Sequence, residues 1–536
     1  MQHMFDKPIN RRHAMALLGA GLGGLWLPPG TLAQPRWQHD PFGLGVASGS
    51  PTHDSVVLWT RLHGNGVPGA GAGREAISVR WEVAHDERFA RVVQSGQAVA
   101  TPELAHSVHA EVRGLEPDRW YFYRFVSGDA VSPVGRTRTF PRSDAVVARL
   151  RLAYASCQKW EDGYFSAWRH MRDENLDAVL FLGDYIYEYP GKRSKLRVPG
   201  GGWVITLDEY RRRYALYKSD ADLQAMHAHC PWLMTWDDHE VQNDYAGQQA
   251  GDSGAADPAA PADFLARRAA AYQAYYEHMP ISAAVLTRAI AGLAAGAEMR
   301  IYRSVPFGRL ARLYLLDARQ YKDPQVCSKD GRRGSATVNP RSCPPWHDPH
   351  RSMLGQAQER WLEQTLSEHG ATSVKWNVLG QQTLVGQRDF RPGPEQFLWN
   401  DGWDGYASAR QRLTGALQRH AVSNPVFLGG DVHENWVGHV KADYANAASA
   451  NVAVEFCGTS ITSRSGGNGK LAERLAENPH FVFAECERKG YGVAEFTPGG
   501  LTTTLRVVQD VTRADSGIET LAQFAVQPGR SVIERL

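Results

Sequence analysis

Asp184 and Tyr187 stand three residues apart in G-D-Y-I-Y, a pairing suited to metal binding. An aspartate on a strand-to-loop turn can bridge two cations, one through each oxygen. A tyrosine three residues on reaches the same ion as a phenolate. Free tyrosine ionises near ~10, so a phenolate calls for a strongly acidic ion. Ferric iron meets that need; Mg2+ or Ca2+ alone does not. Cys157, in Y-A-S-C, adds a thiolate, which also suits a transition metal. His433, in G-G-D-V-H, adds an imidazole to the same ion.

The remaining candidates are hard oxygen donors: Asp238 in W-D-D-H-E, Asp431, and the second oxygen of Asp184. Asn243 is a further candidate and Gln381 a weaker one. Oxygen-rich sets favour Ca2+. The residues thus imply an unequal site, with a thiolate and phenolate side, an all-oxygen side, and Asp184 between them. His239, beside Asp238, is positioned to protonate a leaving oxygen or to hold a phosphate oxygen. Asp237 and Glu240 read as orienting partners. Any one of these residues is explained as a strand cap bonding loop amides. Asp184, Tyr187, Asp238, Asp431 and His433 together are not.

Four short apolar strands carry these clusters at their carboxyl ends: the one before Ser156, Leu180–Leu182, Leu233–Trp236 and Val426–Leu428. Such runs read as strands buried on both faces, and ligand-bearing carboxyl ends would converge on one rim of a sheet. From residue 147 to 510, strands alternate with helical stretches at Tyr164–Glu174, Leu207–Met226, Ala262–His278 and Gly355–Glu368. The expected fold is α/β, two stacked sheets flanked by helices. Residues 40–142 alternate as an all-β sandwich, with G-L-E-P before W-Y-F-Y like the corner of a fibronectin type III or immunoglobulin-like module. Residues 511–536 read as a C-terminal extension.

The chain has 536 residues and a formal net charge of +2, too balanced to argue for nucleic acid. No apolar run reaches membrane-spanning length. Arg11 and Arg12, an apolar stretch from Ala14 to Leu27, and Thr31-Leu32-Ala33 read as a twin-arginine export signal over residues 1–33. That implies the twin-arginine translocase as a passing partner and a periplasmic or secreted product. Of six cysteines, Cys327 and Cys343 flank a polar loop and suit a disulfide, while Cys230, Cys457 and Cys486 suit buried thiols.

G-D-Y-I-Y-E, W-D-D-H-E-V-x-N-D and G-G-D-V-H resemble motifs of the alkaline phosphatase D family, within the calcineurin-like and purple-acid-phosphatase-like metallophosphoesterases. A-S-C-Q (Ala155 to Gln158), L-D-A-R-Q-Y (Leu316 to Tyr321), M-L-G-Q-A-Q-x-x-W-L (Met353 to Leu362) and D-x-W-D-G-Y (Asp401 to Tyr406) add to the likeness. The resemblance implies a metallophosphoesterase sandwich and an exported phosphatase dependent on iron and calcium. It assigns iron to Cys157, Asp184, Tyr187 and His433. It assigns calcium to Asp184, Asp238 and Asp431, with Asn243 possible. Where the wider superfamily has GNH and GHxH, this chain has Asp237-Asp238-His239 and Gly430-Asp431-Val432-His433, and Gln381 stands near a replaced histidine. Each change trades a nitrogen or neutral ligand for oxygen, in keeping with calcium.

The expected reaction is in-line hydrolysis of phosphomonoesters or phosphodiesters by a metal-bound hydroxide or oxide. Ser156 is the one serine close enough in sequence for a covalent route, which this scheme does not need. Two rival readings are a phospholipase D-like diesterase and a wall- or polymer-binding protein with a structural metal site.

Overall fold

A computed structural model describes residues 35–64, 72–190, 196–251, 263–286, 298–328, 333–369, 374–446 and 448–536. The export signal read at residues 1–33 lies outside them.

The fold is mixed α/β, built on two large sheets. At the middle of the first, Leu150–Ala155, Ala178–Phe181 and Trp232–Met234 pair in parallel. In the second, Ala311–Leu315, Trp376–Gly380, Pro425–Gly429 and Asn451–Cys457 do the same. The two-residue period of the strands explains how the sheets pack. Leu152, Leu180 and Leu233 share one core with Leu313, Val378, Val426 and Phe456, which joins the sheets face to face. The alternate residues Ala153, Val179, Phe181, Trp232 and Met234 pack with Trp168, Tyr210, Tyr214 and Met226 of the helices outside the first sheet. Leu379 and Phe427 meet Leu362 and Leu413 outside the second.

The one-rim expectation is therefore corrected. The cluster after Pro425–Gly429 stands on the second sheet, the other three on the first. The two rims meet because the sheets stack. Gly430 is required there, since a Cβ on it would lie 2.3 Å from Ser156 Oγ.

The single helix expected over Leu207–Met226 is two, Leu207–Lys218 and Ala221–His227. Thr206 and Glu209 form a capping box on the first. Asp220 starts the second by accepting from the Asp222 and Leu223 amides at 3.1 and 3.2 Å.

At the N-terminus, Val46–Gly49, Ser55–Arg61 and Ser107–Arg113 face a sheet built on Val92–Ala100, Ile77–Ala84 and Trp120–Ser127. The corner read at Glu116–Tyr121 is present as a hydrogen bond, with the Glu116 amide donating to Tyr121 Oη at 3.0 Å. This module is continuous with the first large sheet, because Val46–Gly49 pairs in parallel with Trp232–Met234 at Gly49 and Trp232. The segment expected as a C-terminal extension carries Ile518–Val526 and Ile533–Arg535, which complete the other edge of that sheet. Both strands pair antiparallel, the first with a shift of register between Leu505 and Arg506, so the sheet runs past residue 510.

Candidate metal centre

Each candidate sits where a buried strand gives way to a tight turn. Cys157, Asp184, Asp431 and His433 have φ of 60°, 58°, 63° and 58°. Non-glycine residues seldom adopt this left-handed region, and such strain gathers at functional sites. Glu240 holds two of the turns together, accepting from the amides of Asp184 at 3.0 Å, Tyr185 at 2.6 Å and Asp237 at 2.8 Å. The turns approach so closely that a Cβ on Gly183 would lie 2.5 Å from that of Asp237.

On one side, ligand atoms of Cys157, Asp184 and His433 lie within 4.8 Å of one another. Tyr187 Oη stands among them, 3.0 Å from Asp184 Oδ2 and 3.2 Å from His433 Nε2. His433 Nδ1 is 2.8 Å from the carbonyl of Arg464, an acceptor only. The ring proton therefore sits on Nδ1 and leaves the Nε2 lone pair facing the cluster. Burial and the Lys489 ammonium lower the His433 pKa to about 3, so the ring is neutral. Burial, with the charges of Asp184 and Asp431, pushes the Cys157 thiol well up. Burial and Asp184 do the same to Tyr187. Ser156 Oγ accepts from Cys157 Sγ at 3.2 Å.

On the other side, ligand atoms of Asp184, Asp238 and His239 again lie within 4.8 Å of one another. Asp184 belongs to both groups. Arg319 is buried on this side. Its Nε donates to Asp237, its Nη1 donates to Asp401 Oδ2 at 2.7 Å, and its Nη2 lies 3.7 Å from Asp238 and 3.9 Å from Asp431. Burial opposes ionisation of Asp238, but Arg319 and His239 outweigh it and lower its pKa. At Asp431 burial wins over Arg319, and the pKa is raised. A third acidic group joins Asp238, Asp244 and Asp401. Lys322 Nζ already bonds Asp401 there, and Ser335 donates to Asp244 from its amide and hydroxyl at 2.9 and 2.6 Å.

His239 lies at the seam. Its Nδ1 is 2.7 Å from Glu188 Oε2, and its ring packs 4.1 Å from that of Tyr187, centroid to centroid. Burial works against its charge, but Glu188, Asp184 and Asp238 raise its pKa well above the usual histidine value. Asn243 is half-buried, with its amide donating to the other Glu188 oxygen at 2.8 Å. Gln381 has its amide groups taken up by Thr383 and Trp403, so it is spent on packing the turn.

These residues fit a pair of cations. Burial disfavours the charged forms of Cys157, Tyr187 and Asp184, and strong positive charge beside them would offset that cost. Asp237 Oδ2 and Asp238 Oδ1 are buried with no hydrogen-bond partner among the described residues. Sulfur, phenolate and imidazole donors suit iron, and the carboxylates suit calcium.

Glu188, Arg319, Asp401 and Asp244 stand inside the motifs that carry the family resemblance but have no site role among the sequence expectations. Arg319 lies in the segment Arg312–Arg319, which reads as one strand. The strand ends at Leu315 because Asp317 Oδ1 accepts from the Arg319 and Gln320 amides at 3.0 and 2.9 Å, turning the chain inward. An Asx turn beside L-D-A-R-Q was the available signal.

Groups of metal-ligand type where two α/β sheets meet suit a metal-dependent hydrolase, and the comparisons show that its class is that of the phosphoric ester hydrolases. The PhoD-like phosphatase family matches residues 152–505, and the PhoD-like phosphatase N-terminal domain matches residues 29–141. Alkaline phosphatase D of Bacillus subtilis (strain 168) is 41% identical over 514 residues, covering 94% of this chain and 84% of that one. The solved structure of PhoD matches with a TM-score of 0.85 at 40% identity, covering 94% of this chain and 93% of that one. The chain belongs to the PhoD-like phosphatase family and is a phosphoric ester hydrolase.

Proposed function

We propose that this phosphatase hydrolyses phosphomonoesters, phosphodiesters or both at a mixed iron and calcium centre. Cys157, Asp184, Tyr187 and His433 would hold the iron. Asp184, Asp238 and Asp431 would hold the calcium, with Asn243 within the same turn. The observation that carries this reading is that Asp184 belongs to both ligand groups. The cations, when bound, neutralise phosphate charge and make water acidic enough to deprotonate at ambient pH.

The chain's own residues do the rest. Glu188 accepts the His239 Nδ1 proton and fixes the ring, which leaves Nε2–H to hold a phosphate oxygen or protonate the leaving one. Arg319 offsets the negative charge of Asp237 and Asp401 behind the calcium ligands. The Tyr187 ring packed against His239, and the burial of His239, keep bulk water away from that proton.

Residues 1–33 are read as a twin-arginine signal that directs export. A disulfide between Cys327 and Cys343 supports an oxidising destination, and no helix among the described residues is long and apolar enough to cross a membrane.

The test uses p-nitrophenyl phosphate and its bis ester at alkaline pH, with metal analysis and a visible spectrum of the native protein. Chelation by EGTA should abolish turnover and added calcium should restore it. Turnover indifferent to chelation, or purified active protein without iron, rejects the proposal.

A further inference from the structure

Three oxygen or nitrogen atoms surround Tyr187 Oη: Asp184 Oδ2 at 3.0 Å, His433 Nε2 at 3.2 Å and Ser463 Oγ at 2.7 Å. The first two are themselves candidate ligands and offer lone pairs. Only Ser463 has a proton to give to a phenolate. Its single proton has two acceptors in reach, Tyr187 Oη and the Cys157 carbonyl at 2.8 Å, of which a phenolate, being charged, is the stronger; Oγ itself accepts from the Lys159 amide at 3.3 Å, and the Ser463 amide donates to the same carbonyl at 3.2 Å. The segment around it frames the same side of the centre. Arg464 supplies the carbonyl for His433 Nδ1 at 2.8 Å, and Thr459 Oγ1 donates to the His433 carbonyl at 3.1 Å. Lys489 Nζ reaches that carbonyl at 2.9 Å and Ser465 Oγ at 2.6 Å.

We infer that Ser463 is a positioning residue that tunes the iron through Tyr187, by donating a hydrogen bond to the phenolate oxygen; this rests on the iron reading above. A charge-assisted donor stabilises the negative oxygen. Partners of this kind around a ligand set its basicity and the metal's potential. Withdrawing the donor raises the energy of the phenolate electrons. Charge transfer from phenolate to ferric iron then needs less energy, and the ferric state is favoured over the ferrous.

The experiment compares visible spectra and iron midpoint potentials of the native holoenzyme with Ser463→Ala, Ser463→Thr, Ser463→Cys and Thr462→Ala. Ser463→Ala should move the phenolate band to longer wavelength and lower the potential. Ser463→Thr should restore both, and Ser463→Cys, a weaker donor, should move them less than alanine does. Thr462→Ala, which removes a hydroxyl bonded to the Lys159 carbonyl at 2.7 Å, should leave the band in place. A band present in the native protein and unmoved in Ser463→Ala and Ser463→Cys overturns this inference alone, as does an equal shift in Thr462→Ala. A native protein with no phenolate band overturns the iron reading and this inference with it.

Discussion

His239 Nδ1 lies 2.7 Å from Glu188 Oε2, a carboxylate whose other oxygen accepts from the Asn243 amide at 2.8 Å. One residue thereby orients both the imidazole and the turn that follows Asp238. His239→Gln should lower kcat by roughly 10²- to 10⁴-fold, the usual range for losing a proton donor. The loss should be larger on an alkyl phosphate, a poor leaving group, than on p-nitrophenyl phosphate. Glu188→Gln should cost about tenfold, as expected for an outer partner. Equal losses on both esters would refute proton donation by His239.

Tyr187→Phe keeps the ring that packs on His239 and removes only the oxygen 3.0 Å from Asp184. Colour, bound iron and turnover should fall together, while calcium content stays near native. Elemental analysis beside the visible spectrum checks this, and full colour in the variant would contradict it.

Arg319 is buried between Asp237 and Asp401. Arg319→Gln breaks a buried ion pair and strands two carboxylates, which typically costs about 3–5 kcal/mol. Arg319→Lys should recover only part of this, because a point charge cannot serve both partners as the forked guanidinium does. Urea unfolding of the holo protein measures it, and a loss under ~1 kcal/mol would show the network to be dispensable.

Glu455 gives a pH signature away from the centre. Burial raises its pKa to about 7 from 4.5, against the amides of Val385 and Gly386. The folded chain keeps a proton there that the unfolded chain has lost between those two values. Stability therefore falls as pH rises through that window and levels off above it. Glu455→Gln lacks this dependence, so the variant should gain on the native chain by roughly 3 kcal/mol across the window. A stability difference independent of pH would exclude it.

The disulfide Cys327–Cys343 closes a loop with a sequence separation of 16, and that loop carries Ser335, which holds Asp244. Replacing both cysteines with serine should cost about 3 kcal/mol by the loop-entropy estimate and weaken calcium binding more than iron binding. Thermal unfolding and calcium titration read the two effects.

Short-range chemistry was legible in the chain. Asp184 with Tyr187, and Asp431 with His433, lie two or three residues apart on single turns. Spacing alone brings such side chains together, whatever the rest of the fold does. The buried strands were also legible, because alternate residues face two different cores and the run is apolar throughout. Glu240 could be read as an orienting partner for the same local reason.

What only the tertiary structure decided is which turns meet. Two sheets, not one, deliver the ligands, and their stacking sets Gly430 against Ser156 and His433 against Tyr187. Arg319 pairs with Asp237 and Asp401, each 82 residues away, and Ser463 reaches Tyr187 across 276. A local signal such as the Asx turn at L-D-A-R-Q marks where the chain bends but not which partner it meets, since an arginine or serine on a turn looks the same whether it faces solvent or a buried charge. The ligand types follow from side-chain chemistry, which the sequence states outright. Their assembly follows from burial of the apolar faces behind them, which depends on the whole chain at once.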